Sequence, residues 1–248
     1  MKARIALFVL LTLLVCGIAR AQTYSTACSA PDPDTRIPAC SALIQAGAGA
    51  NSNLSVAFNN RGIGYADKGA YEQAILDFNA AIDLNPSLAL AYSNRGATYA
   101  GNGMFEQALN DYNIAIELNS DLRQPYHNRC FALARLGHLE QAIMDCDKAI
   151  LMRADDSETL VLRGFVYFRM GRYADAIRDC DHALNLNSTM AKAFYIRGIA
   201  KLKLKDLDGQ IDIKRAKSLY TNISSFMAQA GVGFGTFPEI LTSAPTIE

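Results

Sequence analysis

Cys130 and Cys146 bracket the stretch NRCFALARLGHLEQAIMDC, and His127 stands three residues before the first of them. Thiolate and imidazole are metal-ligand types at a ligand-like spacing. Two thiols could instead form a redox couple or a structural bridge. Each could also fill a small apolar slot, which free cysteine does well. No Cys-x-x-Cys is present, so a redox enzyme lacks its motif. Gly-x-Ser-x-Gly, His-Glu-x-x-His and a Walker loop are absent as well, and His127, His138 and His182 form no cluster in the sequence. No catalytic residue, metal or cofactor is predicted.

The choice among these readings depends on compartment and on the elements that position the sulfurs. The chain begins MKARIALFVLLTLLVCGIARA. A positive start, an apolar run and a small-x-small end predict a secretory signal peptide over residues 1–21. The run is short for a membrane-spanning helix, so no membrane insertion is expected after cleavage. Cleavage would leave Cys28, Cys40, Cys130, Cys146 and Cys180 in a periplasmic or secreted chain, where disulfides persist. The whole chain of 248 residues carries 24 basic and 24 acidic residues. That balance argues against nucleic acid as a partner, since phosphate binding needs clustered cations.

Self-similarity with a period of 34 organises the rest. AFNNRGIGYADKGAYEQAILDFNAAIDLNP (57–86) returns from 91, 125, 159 and 193 without insertion. Counting each unit from Ser55, Ala89, Arg123, Ser157 and Ala191, small residues hold register 8 in all five, and in the first four Gly holds register 15 and Ala holds 20 and 27. Apolar positions 4, 8 and 11 share one helical face, and 17, 20, 24 and 27 share another. Each unit is therefore an antiparallel helix pair that must stack on neighbours to bury its faces.

The aromatic at 4, Gly at 8, Tyr at 11, Ala at 20, aromatic at 24, Ala at 27 and Pro at 32 resemble the tetratricopeptide repeat (TPR) family. Repeat one matches throughout, including Tyr65 and Pro86. The fold expected is an all-α, right-handed α-solenoid. Its predicted parts are an N-terminal segment with a capping half-repeat (22–54), repeats at 55–88, 89–122, 123–156 and 157–190, a degenerate fifth at 191–220, a capping helix at 221–230 and a flexible tail at 231–248. The stretch 51–55 is expected to be a loop. Repeat five reads as worn, with Gln210 and Lys214 at registers 20 and 24.

Register now addresses the cysteines. Cys130 at 8 and Cys146 at 24 face each other across the hairpin, which predicts a bridge. Cys180 faces Gly164 and is expected free and buried. A second bridge, Cys28 to Cys40, would tie down the N-terminal segment. Arg at register 7 and Asp at 23 oppose each other in the same way and predict an ion-pair ladder with weak, exposed rungs.

The resemblance implies that registers 2, 5, 9, 12 and 13 line a concave groove holding a protein or peptide segment. In repeats three to five these include His127, Phe131, Arg135, Phe165, Phe168, Arg169, Tyr195, Ile199 and Lys203. Apolar and basic rows run side by side there, suited to a peptide with apolar anchors and carboxylates. The function expected is a non-catalytic interaction scaffold of the cell envelope. The alternative is a metal- or redox-responsive envelope protein using Cys130 and Cys146.

Overall fold

A computed structural model describes residues 26–47 and 51–223. The predicted signal peptide, most of the predicted capping helix and the tail lie outside the described residues. Among those residues the regular elements are helices: α1 (Pro33–Gln45), α2 (Asn51–Asp67), α3 (Tyr71–Leu84), α4 (Ala89–Gly101), α5 (Phe105–Leu118), α6 (Arg123–Leu136), α7 (Leu139–Met152), α8 (Ser157–Arg169), α9 (Tyr173–Leu186), α10 (Ala191–Lys203) and α11 (Gly209–Leu219). The chain divides into two compact units at Thr98 and Tyr99. In the first, α1 packs on α2 and α2 on α3. In the second, each helix from α5 to α11 packs on the next, and first helices also touch, α6 on α8 and α8 on α10.

The turns between paired helices show why register 15 is Gly. Gly69, Gly103, Gly137 and Gly171 have φ of +73°, +79°, +88° and +75°. In this left-handed region a side chain is strained and Gly is not. Each turn closes with a bond from the next residue back five positions, such as Ala70 N–H to Tyr65 O at 2.9 Å and His138 N–H to Leu133 O at 2.9 Å. This Schellman closure satisfies helix-end carbonyls. Between repeats, Asn85, Asn119 and Asn187 each accept from a backbone N–H two residues on, at 3.2, 3.0 and 3.1 Å. These Asx turns start the first helices of repeats two, three and five in the same way; Arg153 stands at that register before repeat four.

Small residues decide how closely the pairs approach. The alanines at registers 20 and 27 from Ala74 to Ala183 are fully buried. A Cβ on Gly62 would lie 2.8 Å from the Phe78 ring. Gly164 faces the Cys180 sulfur in the corresponding place. A large residue at 24 thus requires a small one at 8, because interiors are close-packed.

Two expectations need correction. Residues 51–55 are not a loop; α2 already begins at Asn51. Repeat five is not worn in its second helix but set one residue earlier. Gly209, Asp212, Ile213 and Ala216 take the roles of registers 20, 23, 24 and 27. A Cβ on Gly198 would lie 2.8 Å from both the Gly209 carbonyl and Ile213, so these two helices require glycine on both sides. Lys205 occupies the register-15 turn with φ of +63°.

Candidate functional site

An ion-pair frame holds the helices on which the candidate face is built. Arg61 bonds both oxygens of Asp77 at 2.7 Å, Arg129 both of Asp145 at 2.7 Å, and Arg163 both of Asp179 at 2.7 and 2.8 Å. Arg197 does the same to Asp212. These rungs are not the weak, exposed pairs expected from sequence. Side-chain exposure is 7–8% for the four aspartates and 17–22% for the four arginines. The remaining guanidinium nitrogen reaches the preceding repeat. Arg129 Nη1 donates to Asn113 at 2.6 Å, Arg163 to Asp147 at 2.6 Å and Arg197 to Asp181 at 2.6 Å. Arg61 Nη1 reaches Ser41 on α1 at 3.1 Å, so the half-repeat joins repeat one in the same manner. The Asp179 hydrogen bonds hold the Arg163 guanidinium above its ordinary pKa against the effect of burial. Register 25 was missed in the sequence, although Asn79, Asn113, Asp147 and Asp181 recur at the same period as the arginines.

The predicted groove residues separate into two groups. Phe131 and Phe165 are each 3% exposed and belong to the interior rather than to a reachable row. Phe131 stacks edge-on to Phe105, with centroids 6.1 Å apart. Phe168, Tyr195 and Ile199 are partly buried, and Arg169 and Lys203 are exposed. Phe168 leans on Tyr173 at 5.5 Å. Arg135 lies over the Phe105 ring at 4.7 Å and near Phe131 at 6.0 Å. Arg169 donates to the carbonyl of Ala134, the residue before Arg135. Two cationic groups are thus brought to one place. Burial lowers the Arg135 pKa, and the positive Arg169 lowers it further. Neither arginine has a carboxylate partner among the described residues.

His127 sits between repeats three and four. Its Nδ1 lies 2.6 Å from Thr159 Oγ1, and that hydroxyl donates to Asp156. With the Thr159 proton spent, Nδ1 carries the hydrogen and donates. Arg123 completes the cluster through Asp156. Burial pushes the imidazole down to about 4; Asp156 pulls the other way and Arg123 adds to the drop. Thr159, Asp156 and Arg123 were not foreseen, because their meeting depends on how two repeats stack.

The cysteine geometry discriminates among the opening readings. Cys130 and Cys146 sulfurs are 2.11 Å apart, joining α6 to α7. Cys28 and Cys40 sulfurs are 2.04 Å apart. Cys180 is free and buried, and burial pushes its thiol well above the ordinary range. The metal reading is corrected: the two sulfurs are bound to each other, and His127 Nδ1 is committed to Thr159. Among the described residues no group of His, Cys, Asp and Glu is arranged to hold a metal ion. No described helix is long and apolar enough to cross a membrane.

Similarity to known proteins agrees with this architecture. A family model described as TPR repeat matches residues 64–103, and models described as tetratricopeptide repeat match 89–122 and 157–189. Comparison with curated proteins found no match. Among solved structures, MamA protein is similar with a TM-score of 0.59 at 18% identity, over 69% of this chain and 94% of that one. YrrB, described as a TPR protein with an unusual peptide-binding site, has a TM-score of 0.58 at 17% identity, over 76% and 96%. A MamA fragment from Desulfovibrio magneticus RS-1 has a TM-score of 0.59 at 14% identity, over 73% and 97%. At these identities the likeness speaks for fold alone, and with the matched segments it identifies tetratricopeptide repeats within the helical described residues of this chain.

Proposed function

We propose that the chain is a non-catalytic scaffold that holds a protein or peptide segment on the first-helix face of repeats three to five, outside the cytoplasm. The observation that carries this reading is the Arg135–Arg169 pair. Two guanidinium groups held together by an aromatic ring and a backbone carbonyl, with no acid paired to them among the described residues, form a preorganised place for a carboxylate. Exposed Lys203 extends the positive row, and partly buried Phe168, Tyr195 and Ile199 offer apolar surface beside it. The buried Phe131 and Phe165 act from beneath, as supports for that surface. The N-terminal apolar stretch and the two joined cysteine pairs support an oxidising compartment. A redox-responsive role for Cys130 and Cys146 has less support, since both are fully buried and a reductant cannot reach them in the folded chain.

The test is selection from a random peptide library, using the full mature chain and an Arg169→Glu/Lys203→Glu variant in parallel. Both positions are exposed, so the variant is expected to keep its helical signal. Enriched peptides should pair an apolar residue with a carboxylate and should lose binding to the variant. Peptides without acid, or held equally by both proteins, would overturn the assignment.

A further inference from the structure

Repeat three lacks a ring that its neighbours have. Register 11 is Tyr65, Tyr99 and Tyr167 in repeats one, two and four, but Leu133 in repeat three. In repeat four the Tyr167 ring is partly buried, with Arg163 5.8 Å and Arg172 4.4 Å from its centroid. Its phenol is raised by burial, and the charges of Asp147 and Asp179 act on it too. One period earlier, the counterpart of Arg172 is His138, and those of Arg163, Asp147 and Asp179 are Arg129, Asn113 and Asp145, around Leu133. Arg129, Asn113, Asp145 and Leu133 line a cleft of about 400 Å³, completed by Leu109, Gln141 and Met144. The lining thus holds the counterparts of three of the four Tyr167 neighbours, all but that of Arg172.

Its chemistry matches its shape. Arg129 spends its guanidinium edge on Asp145 and Asn113. Its Cζ already lies 5.7 Å from the centroid of the Tyr126 ring. A guanidinium has two faces, and Arg61 carries two rings, Phe58 and Tyr65, so a second ring can be attracted here as well. Leu109, Leu133 and Met144 supply apolar walls, and Met144 stands 71% exposed at the rim. Gln141 places an exposed amide there. The volume is at the small end of ligand pockets, which run from about 300 to 1,000 Å³, and has room for an aromatic side chain. Registers 7 and 11 lie on the side of α6 opposite registers 5, 9 and 13, as 3.6 residues per turn require. The cleft is therefore separate from the face assigned above.

We propose that this cleft binds an aromatic side chain, tyrosine or phenylalanine, presented by a partner polypeptide, the ring stacking on Arg129 in the seat that Tyr167 fills within repeat four. The probe is N-acetyl-L-tyrosinamide, titrated against the full mature chain labelled at Leu and Met methyl groups, with N-acetyl-L-leucinamide as comparator. The tyrosine probe should shift the Met144 and Leu109 methyl signals saturably. The leucine probe should bind about three- to fivefold more weakly, the worth of a ring on an exposed cation. Leu133→Tyr, which restores the residue of the neighbouring repeats, should abolish both responses while keeping the helical signal. Met144→Ala, at an exposed position, should weaken the tyrosine probe severalfold as read at Leu109. Arg169→Glu/Lys203→Glu should leave it unchanged, which separates this site from the first-helix face. Absence of saturable shifts, equal binding of the two probes, or undiminished binding in folded Leu133→Tyr would overturn the proposal. If Leu133→Tyr fails to fold, Met144→Ala decides, and unchanged affinity there overturns it.

Discussion

Removing Arg163 tests whether the ion-pair frame is structural. Arg163→Met keeps the aliphatic stem and deletes the charge. Asp179, whose side chain is 7% exposed, then loses bonds of 2.7 and 2.8 Å, and Asp147 loses one of 2.6 Å. Breaking one side of a buried pair costs about 3–5 kcal/mol, because the other charge stays buried. Arg163 is 20% exposed, so water can partly solvate Asp179 in the vacated space. The expected loss is therefore about 2–3 kcal/mol. The control is Arg153→Ala, which breaks a pair between side chains 59% and 68% exposed. It should cost little, since exposed pairs contribute little. Urea unfolding followed by circular dichroism measures both. Repeat arrays can unfold piecewise, so the slope must be compared as well as the midpoint; an early separate transition would place the loss in repeat four. The double variant Arg163→Met/Asp179→Leu should be clearly more stable than the sum of its parts implies, since it leaves one fewer stranded charge. A loss for Arg163→Met no larger than for Arg153→Ala would refute the reasoning.

Three smaller changes probe other parts of the fold. Lys205→Gly should stabilise the chain by about 1 kcal/mol, because φ of +63° is strained for lysine and free for glycine; a lower melting temperature would contradict this. The Tyr112 hydroxyl is buried with no hydrogen-bond partner among the described residues, so Tyr112→Phe should be neutral or stabilising by up to about 1 kcal/mol in the same urea assay. His127 is held down to about 4 from an ordinary 6.5, so between those values the unfolded chain binds more protons than the folded one. Stability should therefore fall as pH drops through that window, by about 2 kcal/mol between pH 7 and pH 5, and His127→Gln should remove this share of the dependence.

Much of the fold was legible in one dimension. A strict period of 34 with Gly at register 15 and Ala at 20 and 27 specifies helix, turn and facing surface before any coordinate is known. Cys130 and Cys146 could be set opposite each other because antiparallel helices about a fixed turn leave no choice of height. Repeat five defeated the same method. Lys205 and the one-residue shift of α11 break the register, and only packing shows that Gly209 and Ala216 take the places of the usual alanines. Burial was also beyond reach: Phe131, Arg135 and Phe165 are all plausible groove residues by register, yet two are core and one lies on a ring. The His127 cluster and the cleft at Leu133 belong to the same class. A periodic sequence determines which face each residue occupies. The distance between stacked repeats decides which polar groups meet, which charges go unanswered and where a cleft opens, and that distance is set by close packing of every side chain together.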